Sequence, residues 1–273
     1  MSSTWYSDDI PPRPPVGAGG AVVAILRGAL LLTVIGTGLL VLLFLRLLER
    51  PVFGSKRPVT PWITQGVCRT ALLILGMRYR ITGQPIAGSG ALVANHSSWL
   101  DIFALNAATR LYFVSKSEVA GWPGIGWLAR ATGTVFVVRD RKEARHQVQL
   151  FEDRLRAGHK LLFFPEGTST DGLQVLPFKP TLFAAFFGEE FEGMKLQAVT
   201  VNYAAPDGQD QRFYGWWGDM DMGPHLWSVL GTLRQGAIEV VFHPPVVRSD
   251  FADRKVLAKE LETQVRGALT AKP

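Results

Sequence analysis

Apolar positions in the first quarter of the chain run together instead of alternating. Gly28 to Leu45 holds eighteen residues without a charge. With its flanks it is long enough to cross a bilayer. A cleaved signal peptide is the rival reading, but its apolar stretch is normally shorter, and no small-x-small cleavage site follows. Arg46, Glu49, Arg50, Lys56 and Arg57 come next. That surplus of positive charge places the C-terminal side in the cytoplasm, with Arg13 and Arg27 on the other flank pulling the opposite way. A second apolar stretch, Pro61 to Met77, is interrupted by Gln65 and Arg69 and closed by Arg78. It reads as an amphipathic helix lying in the interface, as one inserted only part-way, or as a core helix of the domain that follows.

From about residue 79 short β-like runs alternate with helical periods. Strands are expected at Tyr79–Thr82, Ala91–Ala94, Leu111–Ser115, Val135–Val138, Lys160–Phe164, Leu196–Tyr203 and Ala237–His243. Helices are expected near 98–108, 122–131, 141–157, 179–188 and 251–269. This alternation predicts an α/β domain with a mixed, partly parallel sheet flanked by helices. Residues 1–18, polar and broken by Pro11-Pro12-Arg13-Pro14-Pro15, read as a flexible tail. The chain thus divides into a tail over 1–18, membrane-anchoring helices over 19–78 and a globular domain over 79–273.

Composition narrows the function. Hydrophobic residues make up 47% of the chain, with eight Trp and sixteen Phe, which excludes a disordered protein and leaves apolar surface for a membrane. The net charge of +6 and pI of about 9.6 suit anionic lipid surfaces, nucleic acid or acidic proteins without choosing among them. The single cysteine, Cys68, excludes an intrachain disulfide and thiolate-rich metal sites. His146, His159, His225 and His243 lack ligand-like spacing, so no metal is expected.

The candidate chemistry sits just past two apolar strands. Ala91–Ala94 runs into Asn95-His96-Ser97-Ser98-Trp99-Leu100-Asp101, and Lys160–Phe164 into Pro165-Glu166-Gly167-Thr168. In open α/β sheets ligands bind beyond the carboxyl ends of strands. His is the side chain best poised to take a proton near neutral pH, and a carboxylate on its far ring nitrogen fixes its tautomer. A five-residue step on a helix turns the chain by about 500°, about 140° away from its start, so His96 and Asp101 meet only if His96 precedes the helix. A cap by Ser97 or Ser98 suits that arrangement. No Gly-x-Ser-x-Gly elbow supplies a nucleophile, which leaves the substrate's own hydroxyl for the role. Gly124-Ile125-Gly126 superficially matches a dinucleotide fingerprint, but Pro123 and no strand precedes it.

Asn95-His96-x4-Asp101, Gly133-x-x-Phe136-Val137-Val138-Arg139, Phe164-Pro165-Glu166-Gly167-Thr168 and Val199-Thr200-Val201 resemble, in order and spacing, the four blocks of the glycerolipid acyltransferase family. The resemblance covers roughly residues 75–205. It implies a glycerol-3-phosphate acyltransferase-like fold. It also implies acyl transfer from acyl carrier protein or coenzyme A to a hydroxyl of glycerol phosphate or a lysolipid. By that resemblance His96 is the catalytic base and Asp101 its orienting partner. Arg139, Glu166, Gly167 and Thr168 bind substrate, and Lys179 is a further anion contact. The acyl thioester is a co-substrate, and no separate cofactor is implied.

One position departs from the pattern. Many lysophosphatidate-using relatives carry an arginine after Glu-Gly-Thr, suited to clamping a phosphate monoester. Here Ser169 stands there, followed by Thr170 and Asp171. The stretch Tyr214–Asp221, with Pro224-His225-Leu226-Trp227 and together with Phe164 to Lys179, is similar to the bacterial lyso-ornithine lipid acyltransferases. Asp219 and Asp221 there would face an ornithine amine, or the Trp-rich stretch packs at the membrane interface. The basic cluster Arg130, Arg139, Arg141, Lys142 and Arg145 suits an acidic carrier protein, anionic lipid or plain solvent. The expected partners are therefore acyl carrier protein or a coenzyme A thioester, a lysolipid and the bacterial cytoplasmic membrane, with no nucleic acid. A lipid esterase or transacylase using water or an enzyme serine, and a silent lipid-binding module, are the competing classes.

Overall fold

A computed structural model describes residues 4–7, 9–138 and 144–270. Two helices come first, α1 (Ala18–Phe53) and α2 (Thr60–Leu75), followed by β1 (Arg78–Thr82) and β2 (Gly90–Ala94). Then follow α3 (Asp101–Ala108), β3 (Tyr112–Lys116), α4 (Ile125–Thr132), β4 (Val135–Val137), α5 (Ala144–Arg156) and β5 (Lys160–Phe163). The chain closes with β6 (Lys195–Ala204), α6 (Met222–Gly231), β7 (Ala237–Phe242), β8 (Val246–Val247) and α7 (Arg254–Gly267).

The sheet runs in the order β1-β7-β6-β2-β5-β3-β4, with β8 on β6. Strands β2 to β6 are parallel neighbours, whereas β7 and β8 pair antiparallel with β6 and β1 lies parallel to β7. The expected mixed, partly parallel sheet flanked by helices is what the chain forms, with all seven strands in place. Along a strand side chains alternate between faces. Ala91, Val93, Leu161 and Phe163 therefore join one apolar layer with Phe151 of α5 and Leu257 and Leu261 of α7. Leu92, Ala94 and Leu162 join the other, with Leu72 of α2, Leu105 of α3 and Val229 of α6. Because both faces of β2 are covered, every one of its residues is buried.

Three local departures have identifiable reasons. The helix expected near 98–108 begins at Asp101, and its N-cap makes no side-chain bond. Ser98 Oγ reaches only the Leu100 N–H just before the helix, at 3.3 Å, and the Asp101 carboxylate takes the N–H groups of Ser97 and Ser98, at 2.9 and 3.1 Å. The helix expected near 179–188 is a 3-10 segment, Pro180–Phe186. Helix α6 has no counterpart in the sequence reading, because Gly223 and Pro224 open it and mask its period. The helix expected over 141–157 is described from Ala144, and Arg141 and Lys142 of the basic cluster lie outside the described residues.

Helix α1 is long and apolar enough to cross a membrane. It is also tied to the rest of the chain near both ends. Arg27 donates to the carbonyls of Leu230 and Thr232 at the end of α6, at 3.0 and 2.6 Å. Glu49 accepts from the Val59 N–H at 2.7 Å and the Thr60 hydroxyl at 2.7 Å, joining the last turns of α1 to the start of α2. Between these points a Cβ on Gly38 would lie 2.3 Å from a methyl of Val67, so only glycine lets α1 and α2 approach this closely. Trp5, in the segment before α1, contacts the domain. Trp5 donates its N–H to Thr168 Oγ1 at 3.1 Å and its ring meets Trp217, with centroids 5.9 Å apart.

Helix α6 carries a buried histidine that fixes the loop over the site. His225 Nε2 donates to the Gly215 carbonyl at 2.8 Å, and Nδ1 accepts from the Trp99 indole at 3.0 Å. Burial pushes its pKa down to about 4, from 6.5. The folded protein thus binds fewer protons than the unfolded chain in that window, so this part of its stability is complete above pH 6.5 and lost as pH falls through 4. Glutamine offers the same acceptor and donor without a charge. His225→Gln is expected to lessen the acid-induced loss of stability below pH 6.5, measured as denaturant midpoints across pH.

Candidate active site

The parallel strands β2 and β5 deliver their following turns to the same end of the sheet, and β6 brings a third contribution from the next position. His96 lies in the turn between β2 and α3, as the geometry of a His-Asp pair five apart requires. Its Nδ1 is 2.7 Å from Asp101 Oδ2. Its ring stacks on Phe164, with centroids 4.1 Å apart at 15°. The His96 side chain is 23% exposed while Asp101 is sealed, so the pair has one wet end and one dry end. The other ring nitrogen, Nε2, has no partner among the described residues.

Asp101 is saturated with donors. Besides His96 and the two serine N–H groups on Oδ2, Tyr203 donates its hydroxyl to Oδ1 at 2.6 Å. Burial, and then the carboxylate itself, raise the Tyr203 pKa far above the ordinary phenol value, which keeps the O–H a donor. The sequence reading places Tyr203 only at the end of a strand and gives it no part in the site. The available signal is its parity: Val199, Val201 and Tyr203 share one face of β6, and Val199 and Val201 belong to the α3-side layer. Asn95 supports the same turn by clasping Val201, donating to its carbonyl at 3.0 Å and accepting its N–H at 2.8 Å.

The second motif holds the first. Glu166 is 1% exposed, and its oxygens accept the N–H groups of His96 and Leu176, both at 2.7 Å. Sequence reasoning put Glu166 among the groups that bind substrate; the fold turns it inward, where it fixes the backbone of His96. Thr170 adds a bond from its N–H to the His96 carbonyl at 2.9 Å. Gly167 has φ +74, and a Cβ there would meet Lys179 Nζ at 2.8 Å, so glycine lets the lysine lie against the turn. The Gly167 N–H is bonded to the Phe164 carbonyl at 3.0 Å and is not available to a substrate oxyanion. Thr168 Oγ1 faces Trp5 of the N-terminal segment, and Asp219 accepts from the Tyr6 hydroxyl at 3.4 Å. Arg139 lies outside the described residues. Among those residues no cluster of His, Cys, Asp and Glu is arranged to hold a metal ion.

A buried His-Asp pair with one open imidazole nitrogen can take a proton from a hydroxyl and return it to a leaving group. Comparison with known proteins gives the chain its class. Residues 78–190 match the family described as Acyltransferase. The chain is 59% identical over 267 residues to the lyso-ornithine lipid O-acyltransferase of Rhodobacter capsulatus, covering 97% of this chain and 96% of that protein. It is 31% identical over 183 residues to the 1-acyl-sn-glycerol-3-phosphate acyltransferase of Neisseria gonorrhoeae, covering 66% and 70%. The chain belongs to the acyltransferase family. Its fold matches the crystal structure of the 1-acyl-sn-glycerophosphate acyltransferase of Thermotoga maritima, with a TM-score of 0.65 at 20% identity over 92% of this chain and 93% of that one.

Two measurements probe the dry side of the pair. Tyr203→Phe deletes one donor to a charged acceptor, a bond worth roughly 1.5–3 kcal/mol, and is expected to lower kcat about ten- to hundredfold while leaving KM nearly unchanged. Burial pushes the Glu166 pKa up to about 8, from 4.5. The native state therefore holds an extra proton between those values, and this contribution to stability is lost as pH rises through 8. Glu166→Gln cannot ionise, so its unfolding midpoint is expected to fall less between about pH 5 and about pH 9 than that of the native chain.

Proposed function

We propose that this chain transfers a fatty acyl group from an acyl thioester to the hydroxyl of a lysolipid, with lyso-ornithine lipid as the acceptor. The observation that carries the acceptor assignment is the 59% identity, over nearly the full length of both chains, to a protein named for that substrate. Ser169 and Asp171 support it, since a serine and a carboxylate at this turn disfavour a dianionic phosphate. The competing acceptor is 1-acyl-sn-glycerol 3-phosphate, favoured by the 31% identity to the Neisseria enzyme.

In the proposed reaction the acceptor hydroxyl lies against His96 Nε2. Its oxygen attacks the thioester carbonyl carbon as its proton passes to Nε2. Asp101 stabilises the resulting imidazolium through Nδ1–H, and Tyr203 and the two serine N–H groups keep that carboxylate in place. The tetrahedral intermediate then collapses, the C–S bond breaks, and Nε2–H returns the proton to the departing thiolate. Ester and free thiol are the products, and the scheme uses no cofactor beyond the thioester co-substrate. Acyl carrier protein or coenzyme A carries that thioester. Thr168, Lys179 and Arg139 serve the acceptor head group in this reading. Helix α1 anchors the protein in the bacterial cytoplasmic membrane, and the basic residues after it put the catalytic domain on the cytoplasmic side.

Purified protein offered each acceptor with acyl carrier protein or coenzyme A thioesters tests the assignment. Faster esterification of lyso-ornithine lipid is expected; preference for lysophosphatidate replaces the acceptor. His96→Ala is expected to lower kcat by about 10²–10⁴ with circular dichroism unchanged. Retained turnover removes His96 as the base.

A further inference from the structure

At the opposite ends of the strands from His96, the turn between α1 and α2 meets the starts of β3 and β5 around a group of buried donors. Arg57 comes from that turn, Tyr112 opens β3, Arg154 lies in the last turn of α5, and His159 directly precedes β5. The two guanidinium carbons are 5.7 and 4.4 Å from the centroid of the Tyr112 ring, and the His159 ring is 4.3 Å from it. Arg57 Nη1 reaches the Ala131 carbonyl at 3.3 Å and Arg154 Nη2 the Gly133 carbonyl at 2.6 Å. Among the described residues both arginines keep a buried Nε–H without an acceptor, Tyr112 keeps its hydroxyl unbonded, and His159, 5% exposed, has neither ring nitrogen bonded. Folded chains rarely leave so many buried polar groups unmet in one place.

The charge is equally one-sided. Glu49 is the carboxylate near this group, and its oxygens are taken by Arg46, the Val59 and Thr60 N–H groups and the Thr60 hydroxyl. Among the described residues neither Arg57 nor Arg154 has an ion-pair partner. Burial, then the neighbouring Arg57, pulls the Arg154 pKa down to about 10. Burial together with Arg154 and Arg57 holds His159 down to about 3, so its imidazole is neutral and offers one N–H. Two planar guanidinium forks with an O–H and an N–H donor complement a tetrahedral oxyanion.

We propose that Arg57, Arg154, Tyr112 and His159 form a binding site for a phosphate-type oxyanion at the junction of the anchor helices and the catalytic sheet. Helix α1 ends at Phe53, four residues before Arg57, which places the site beside the membrane-facing part of the chain. The anion is either the phosphate of a lipid head group or free phosphate.

Thermal unfolding of the full chain in an uncharged detergent, at constant ionic strength set with chloride, separates these sources. Inorganic phosphate is one titrant and phosphatidylglycerol the other, with diacylglycerol as the uncharged control. A saturable rise in Tm is expected. Arg57→Gln and Arg154→Gln are expected to weaken the half-saturation point by about tenfold or more, and His96→Ala to leave it unchanged. Tyr112→Phe removes one hydroxyl and keeps the ring; it carries the test if an arginine variant fails to fold, with a weakening of about threefold or more expected. A shift with inorganic phosphate assigns the free anion, and a shift with phosphatidylglycerol alone assigns the lipid phosphate. No saturable shift with either titrant overturns the site, as does a shift that Arg154→Gln and Tyr112→Phe leave intact.

Discussion

A carboxylate with no contact to water has to be satisfied by the protein, and Asp101 is satisfied from two separate parts of the chain. The His96 ring and two backbone N–H groups come from the turn after β2, and the Tyr203 hydroxyl comes from β6, 102 residues away. Leaving any of these oxygens short of donors in the apolar interior is expensive. The turn, the helix start and the neighbouring strand are thus held to one arrangement. The exposed edge of His96 inherits that rigidity, because the ring is clamped at Nδ1 and flattened against Phe164. Glu166 repeats the principle one layer further in, with a second buried carboxyl holding the His96 N–H.

The direction of the sheet makes these contacts possible. Strands β2, β5 and β6 are parallel, so their ends present turns side by side. Asn95, in the first residue past β2, uses both atoms of its amide on Val201 and keeps the β2 turn level with β6. On the other side the segment after β6 folds back over the same turn. The Trp216 N–H reaches the Ser97 carbonyl at 2.8 Å, and His225 links Trp99 to Gly215. Little of this is local in sequence, yet all of it converges on the few residues from Asn95 to Asp101.

Much of the fold was legible because strand alternation and helix period report burial directly. Ala91–Ala94 and Lys160–Phe164 read as strands, and His96 and Asp101 followed from the residues just past the first of them. Helix α6 was not legible, since Gly223 and Pro224 begin it and glycine and tryptophan crowd the approach. The inward role of Glu166 was hidden for a different reason. A Glu in a turn after a strand reads the same whether it faces a ligand or a backbone N–H, and only the packing of Leu176 and His96 around it decides. Tyr203 was equally silent, because nothing in its neighbourhood announces a partner on another element. A serine cap was expected on the helix itself, but Ser98 Oγ reaches only the Leu100 N–H before it, and spacing does not show the Asp101 carboxylate reaching back to the serine N–H groups.

The long first helix has a mechanical consequence. Arg27 fastens its early part to the end of α6, and Glu49 fastens its late part to the start of α2. A rod gripped at two separated points cannot serve as a tether on which the domain swings. Whatever depth and tilt the rod takes in a lipid layer, the imidazole takes with it. On the proposed reading, the imidazole then stands at one fixed height against the lipid layer.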